Sequence, residues 1–473
     1  MAGLFNALNA ARSSLEVNQK SIEVVGNNIS NINTEGYSRQ YTQLDPTPSL
    51  NYGDFFIGQG VKVTNIQRDH DIFLQAQLED KYVDFGFASG QTRTLAELER
   101  VFNVREENIA TDVDRFFDSW QQLSASPADL VLRDTVIQNG QQLAINLNNS
   151  ANDLNVVIEN INETISSKVE GLNSKITEFA ELNDRIYTIE IRGQMANTAR
   201  DRRDLLVKEL SEELGVRAYQ ENNGMISLQL PGGLPVVQGN MAMRLEAVSS
   251  GADITLRLHA GGVARDLGVN TLGGELLGMY TMRDQFIPSI KGTLDRLAYE
   301  IGTQVNLQHA AGAGLDSVSG RDFFIDPTVA SPPAATVWEN AARNLSVAIT
   351  DAIEIAAAEA PTAPATIAQG DNRNALLMSR IGEQYLIAGM DDFNSYYGRI
   401  TSRIGIETNQ NNLSLGGAQD AVDQLENLRD GFVGVSLEEE MISLIQFQRG
   451  FESSAKFLST IDELMETVIS MKR

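Results

Sequence analysis

LFNALNAARSSLEVNQKSIEVVGNNISNI, residues 4–32, sets Leu4, Leu8, Ala11, Leu15, Asn18, Ile22, Val25, Ile29 and Ile32 at alternating steps of four and three. This is the heptad rhythm of a helix that packs against other helices. Asn18 alone interrupts the apolar run, as a polar residue does where it fixes register at some cost in stability. The same device closes the chain. Leu437, Met441, Leu444, Gln448, Phe451, Ala455 and Leu458 repeat the rhythm, and after a one-residue offset Phe457, Ile461, Leu464, Val468 and Met471 carry it to the last turn. Two such seams at opposite ends of the sequence predict one split inner layer, built from both termini and completed by other copies of the chain.

Charge supports that division. The net charge is -26 over 473 residues, yet residues 1–40 hold three basic and three acidic groups, and residues 436–473 hold four basic and seven acidic. The interior therefore carries -23. Nearly neutral ends can crowd against copies of themselves, whereas an acidic middle suits solvent. The same excess argues against nucleic acid or an anionic membrane as partner, because phosphate recognition draws on clustered Lys and Arg. Cysteine is absent, which removes disulfides, thiol catalysis and cysteine metal sites. The sequence shows no secretory signal peptide and no run of 18 apolar residues, so membrane insertion is not expected.

A chain this long exceeds one hydrophobic core, and its periodicity divides it. Gly36 can take the left-handed conformation that ends the first helix, and prolines, glycines and short alternation over 41–68 follow. Helical spacing returns over 69–103, and a further helix starts near Asp112. Between about 140 and 191, Leu143, Leu147, Leu154, Ile161, Ile165, Leu172, Ile176 and Ile186 mark the longest periodic stretch, a rod too long for a compact enzyme. A charged helix over about 200–214 precedes three alternating sets, Ile226/Leu228/Leu230, Met241/Met243/Leu245 and Ile254/Leu256/Leu258, which read as strands. Residues 311–370 are rich in Gly, Ala and Pro, including Ser331, Pro332 and Pro333 and the piece 360–365, and read as loops. The expected fold is mainly α with a β-rich outer domain, in nested discontinuous domains. The inner one is 1–36 with 436–473; the middle one is 37–210, 276–310 and 371–435; the outer one is 211–275 with 311–370. Ser436 and Glu439 are spaced as a capping box at the start of the last helix.

The string NNISNINTEGYSRQ, residues 27–40, resembles the N-terminal signature of flagellar axial proteins, the family of rod, hook and hook-associated subunits. The matched positions are Asn27, Asn28, Asn31, Asn33, Thr34, Gly36, Tyr37, Ser38, Arg39 and Gln40, and the ending YSRQ is similar to the hook-associated branch. Further matches are GQGVKVTNIQRDHDIFLQAQL (58–78), LNDRI (182–186) with ANTARDRRDLLVKELSEELGV (196–216), and GVSLEEEMISLIQFQRGFESSAKFLSTIDELMETVI (434–469). The resemblance implies a structural subunit without chemistry or cofactor, joining hook to filament outside the cell. It also implies export by the flagellar type III route without a cleaved signal peptide. Partners implied are copies of itself in a ring, the hook protein, the next hook-associated protein on the filament side, and a cytoplasmic export chaperone contacting Met441, Leu444, Phe451 and Leu458. Another axial subunit, on the hook or the filament side, is the alternative.

Two other classes of function compete. An enzyme would need more than His70, His259 and His309, none of which lies at metal-ligand spacing with another. Asp69, His70 and Asp71 could form an acid/base cluster, although acidic groups there equally suit a helix start. The glycines from Gly312 to Gly320 lack a phosphate-binding lysine and fit a loop. An adhesive role for the β-rich segment would need a convergent polar or aromatic set, which residues 211–275 do not show.

Overall fold

The computed structural model describes residues 2–52, 55–102, 108–221, 224–251, 253–326, 337–360, 368–387 and 389–471. The Ser331–Pro333 loop and most of the 360–365 piece therefore lie outside the described residues.

The axis of the molecule is one helix. α4 (Leu130–Glu190) runs for 61 residues, roughly 90 Å at 1.5 Å per residue. The Asp129 side chain caps it by accepting from Val131 N and Leu132 N. Leu143, Leu147, Leu154, Ile165, Leu172, Ile176 and Phe179 form its buried stripe, at most 1% exposed. Around it stand α2 (Ile72–Val101), α3 (Ile109–Ala125), α5 (Asn197–Leu214), α6 (Gly274–Thr281) and α7 (Ile287–Ala310), the last two joined by a π-helical turn at Met282–Phe286. α10 (Phe393–Val433) lies antiparallel on α2, as Tyr397 on the Phe102 carbonyl, Asn411 on Thr92 and Tyr82 on Glu426 show.

The two halves of α4 carry different loads. Its C-terminal half supports two small antiparallel sheets. One orders β5 (Arg217–Gln220), β6 (Ile226–Gln229), β7 (Pro235–Gln238) and β8 (Met241–Ala242); the other orders β11 (Val263–Leu267), β10 (Asp253–Ala260) and β9 (Arg244–Ser250). Asn173 bonds both the N–H and the carbonyl of Leu245, closing the edge of β9, and fully buried Asn183 bonds the carbonyls of Ile226 at the start of β6 and Gly239 in the β7–β8 turn.

Residues 311–326 and 337–360, expected to share an outer domain with these strands, instead pack on the N-terminal half. Asn148 holds the carbonyls of Ala342, within the short α8 (Ala341–Asn344), and of Leu345 at its end. Buried Arg133 holds the carbonyls of Pro127, Ala352 and Ile355. Phe323 and Phe324 complete an aromatic cluster with Phe116, Phe117 and Trp120, with ring centroids 4.8–6.4 Å apart. Buried aromatic area draws this loop-rich segment inward, which its Gly, Ala and Pro content conceals. α9 (Arg373–Ile381) packs against α3 beside it.

The chain ends form a pole of their own. α1 (Ala2–Ser30) and α11 (Leu437–Ser470) pair antiparallel, and α1 also lies across a hairpin of β1 (Gln40–Pro46) and β4 (Val61–Arg68), whose far end carries β2 (Leu50–Tyr52) and β3 (Phe55–Ile57).

Candidate functional site: the terminal helix pair and its polar latch

α1 is covered on two sides. Its buried Val17, Ser21, Val24 and Asn28 face the hairpin, where Ser21 Oγ meets Thr42 Oγ1 at 2.9 Å. The heptad seam faces α11. Of its members, Ala11 and Val25 are buried, Leu4, Leu8, Leu15, Asn18, Ile22 and Ile29 half-buried, and Ile32 exposed.

Small residues set the register of the pair. Ser14 Oγ lies 2.8 Å from Ser454 Oγ, and Asn18 fills the space left by Gly450, whose side chain would meet Asn18 Oδ1 at 2.5 Å. The buried side of α11 is accordingly Glu440, Ser454 and Ile461, with Phe447 and Gly450 half-buried between them. That side is turned about one residue from the seam read in the sequence: Gly450 and Ser454, and not the larger apolar groups, lie against Asn18 and Ser14 of α1. Leu444, Ala455 and Leu458 are half-buried, whereas Leu437, Met441, Phe451, Leu464 and Val468 are exposed. The Ser436 hydroxyl accepts from Glu439 N and caps α11, but the Glu439 carboxylate turns to Arg39 Nη1 at 3.4 Å.

Glu440, the last of three glutamates in a row and part of the matched string 434–469, is the centre of the site. Only 1% exposed, it accepts from Arg39 Nε at 2.7 Å and Asn28 Nδ2 at 3.0 Å. Asn28 is fully used: Nδ2 also donates to the Gln40 carbonyl, while Oδ1 accepts from Tyr37 Oη at 2.9 Å and Gln40 N at 3.0 Å. Burial, with Asp201 and Glu440 nearby, pushes the Tyr37 hydroxyl up to about 12, so it remains a donor. Ser38 is buried, Asn31, Gly36, Tyr37, Arg39 and Gln40 half-buried, and Asn27, Asn33 and Thr34 exposed. Gly36 adopts φ +77°, the left-handed turn its sequence context demands.

The latch is anchored to the middle of the molecule. Arg39 N donates to the Val433 carbonyl at the end of α10. Buried Arg68, at the end of β4, donates to Asp201 at 2.7 Å and Asp204 at 2.6 Å on α5, and Asn197 on α5 donates to the Ile66 carbonyl. The three sequence strings at 27–40, 196–216 and 434–469 thus meet at one place.

The residues that suggest catalysis have other duties. Asp71 caps α2 by accepting from Phe73 N and Leu74 N; His70 lies 3.8 Å from Asp204. His309 is buried between the Arg321 carbonyl and Ala356 N, and burial lowers it to about 4. His259 pairs with Glu246 on the exposed sheet. No group of three His, Cys, Asp or Glu among the described residues could hold a metal ion, and no helix among them is long and apolar enough to cross a membrane.

Comparison with known proteins gives one answer along the whole chain. Residues 95–324 match the model of the flagellar hook-associated protein FlgK helical domain, residues 431–471 the C-terminal model of flagellar basal body rod FlgEFG proteins, and residues 8–37 the flagella basal body rod protein model. The chain is 26% identical to flagellar hook-associated protein 1 of Escherichia coli over 98% of this chain and 99% of that one. It is 25% identical to the protein of the same name from Bacillus subtilis over 99% of each. The solved flagellar hook junction protein FlgK of Burkholderia pseudomallei superposes with TM-score 0.66 at 18% identity, covering 76% of this chain and all of that one.

Proposed function

We infer that this chain, which belongs to the flagellar axial family of rod, hook and hook-associated proteins, is a structural subunit of the bacterial flagellum that joins hook to filament. It lies outside the cell and assembles with copies of itself and with other subunits of the hook region. One observation carries the mechanism. The terminal pair buries a polar latch inside and leaves several large apolar side chains of α11 outside, with Leu437, Met441, Ile442 and Ile445 each 44–67% exposed. A soluble monomer rarely sustains such a face without a partner to cover it.

Ordering is therefore coupled to assembly. Each terminal helix alone gains too little from burial to offset its conformational entropy, and neighbouring copies supply the rest. The seam residues from Leu4 to Ile32 and from Leu437 to Val468 are the assembly elements, and the Asn27–Gln40 motif fixes them in place. The copies form a ring between the hook protein and the next hook-associated protein. Before export through the flagellar type III route, the same face of α11 (Met441, Leu444, Phe451 and Leu458) is held by a cytoplasmic chaperone. The chain performs no catalysis.

Electron microscopy of cells lacking the chain tests the reading: hooks without attached filaments are expected, and normal filaments refute it. Limited proteolysis of the purified monomer tests the coupling. About 40 residues should be trimmed from each end of the 473, and protected termini in the monomer would refute it.

A further inference from the structure

The loop that carries the terminal motif does not close fully onto the body of the molecule. Between residues 31–38, the start of α2, α5 and the end of α10 lies a cavity of about 480 Å³. The charged groups around it are engaged with one another. Lys208 of α5 bridges Glu426 of α10 at 2.8 Å and Glu35 of the loop at 3.3 Å, and it lies over the ring of Tyr82, whose hydroxyl donates to Glu426. Asp204 of α5 is held by Arg68 from β4 and stands 3.8 Å from His70; Asp71 caps α2. Asp80 of α2 meets Arg217 of β5 at 3.0 Å, Arg429 and Asp430 of α10 are 3.8 Å apart, and Tyr37 of the loop donates to Asn28. Glu79 differs from all of these. It lines the cavity from α2 and is 8% exposed, yet it accepts only from Ala218 N of β5, at 3.4 Å, and from Gln75. No ion pair joins it to a cation among the described residues, and the charges that act on it, Asp204 and Asp80, are both acidic.

We propose that Glu79 makes the joint between the terminal pole and the body pH-sensitive: as the neutral acid it leaves the 31–38 loop seated over the cavity, and as the anion it draws in water and frees the loop from α5. A buried carboxylate without a cation is costly, and water entering from the cavity relieves that cost. The loop is the wall that yields. Its side-chain tie to α5 is the Lys208–Glu35 pair, whose glutamate is 73% exposed, and an ion pair so open to solvent holds weakly. On the opposite side Glu79 is backed by β5, which is paired into its sheet. Burial raises the Glu79 carboxyl to about 7, so the seated loop is favoured fully below the ordinary value of 4.5 and loses that advantage as pH rises through about 7.

The chain has no cysteine, so an introduced thiol is the only one it carries. Leu205 lines the cavity beneath Gly36. Full-length L205C and L205C/E79Q, each as the sole copy in flagellated cells, are treated in isolated hook–filament structures with methyl methanethiosulfonate, and the thiol left unreacted is read by gel shift. The rate for L205C is divided by that for L205C/E79Q at the same pH, which cancels the titration of the thiol itself. Between about pH 5.5 and about pH 8.5 this ratio should rise about thirtyfold, as a carboxyl released from about 7 to its ordinary value requires. A ratio that stays constant, a ratio that falls as pH rises, or a thiol that reacts in both backgrounds as fast as in the denatured chain overturns the proposal. If L205C is not incorporated, L74C, on the α2 wall of the same cavity, is read in its place. The assembled state used here rests on the functional reading; failure of the unsubstituted chain to appear in these structures is a separate result, and it refutes that reading instead.

Discussion

Substitution of Arg39 should damage the terminal pole more than substitution of the glutamate it binds. Glu440 is 1% exposed and holds two short hydrogen bonds, so Arg39→Met strands a buried carboxylate. Breaking a fully buried pair from one side costs about 3–5 kcal/mol. The Arg39 side chain is 30% exposed, so part of that is already screened and about 2–4 kcal/mol is expected. Glu440→Leu is milder, about 1–2 kcal/mol, because Arg39 keeps water and Glu439, and Asn28 Nδ2 keeps the Gln40 carbonyl. The double variant should cost less than the sum, with a coupling of about 1–3 kcal/mol. Hydrogen exchange is the assay, read on α1 and α11 amides in the assembled protein and compared with α4. Arg39→Met should speed terminal exchange by roughly thirtyfold to a thousandfold, at 1.4 kcal/mol per tenfold, and leave α4 unchanged. Arg39→Met costing no more than Glu440→Leu, additive effects, or equal loosening of α4 would each refute the latch.

Four further substitutions probe other layers. Gly26 has nothing within 4 Å of where a side chain would stand, so Gly26→Ala should stabilise α1 by about 1 kcal/mol in the assembled protein; if a neighbouring copy packs there, the same change should abolish incorporation. A methyl group at Gly86 on α2 would overlap the Glu212 carbonyl, so Gly86→Ala should cost about 3 kcal/mol or more and lower Tm by several degrees, whereas Gly171→Ala, in open space on α4, should not. Glu79 is buried, and burial raises its carboxyl to about 7 despite hydrogen bonds from Ala218 N and Gln75. A raised folded pKa gives stability that is complete below about 4.5 and lost as pH rises through about 7. Chemical denaturation across that window should show the wild type losing up to roughly 3 kcal/mol relative to Glu79→Gln; parallel curves would refute the assignment.

Much of this structure was legible because period is a strong signal over long distances. The long helix, the strands from Ile226 to Leu258 and both terminal helices follow from spacing alone. Legibility failed where the deciding residues are small or polar. Gly450 and Ser454 bring α11 onto α1, yet a search for large apolar repeats passes over them. Glu440 sits beside Glu438 and Glu439 in a run that reads as a solvated face, and only the fold shows which of the three is buried. Phe323 and Phe324 are two aromatic residues in a loop-rich stretch, and nothing local in the sequence announces the aromatic cluster awaiting them on α3.

The terminal pole inverts the usual order of a folded unit, and the inversion explains why specificity and assembly can be separated. Inside it, Asn28, Tyr37, Arg39 and Glu440 satisfy one another; such a network is directional, and it is weakened most when a member is left buried without its partner. Outside it, the apolar stripes of α11 are undirected and tolerate changes of shape. Polar geometry can therefore set one register for the helix pair, fixed to α5 through Arg68 and to α10 through Val433. The undirected surface then supplies free energy only when copies surround it. Were the apolar stripes inside and the network outside, the monomer would be complete on its own and would have no thermodynamic reason to assemble.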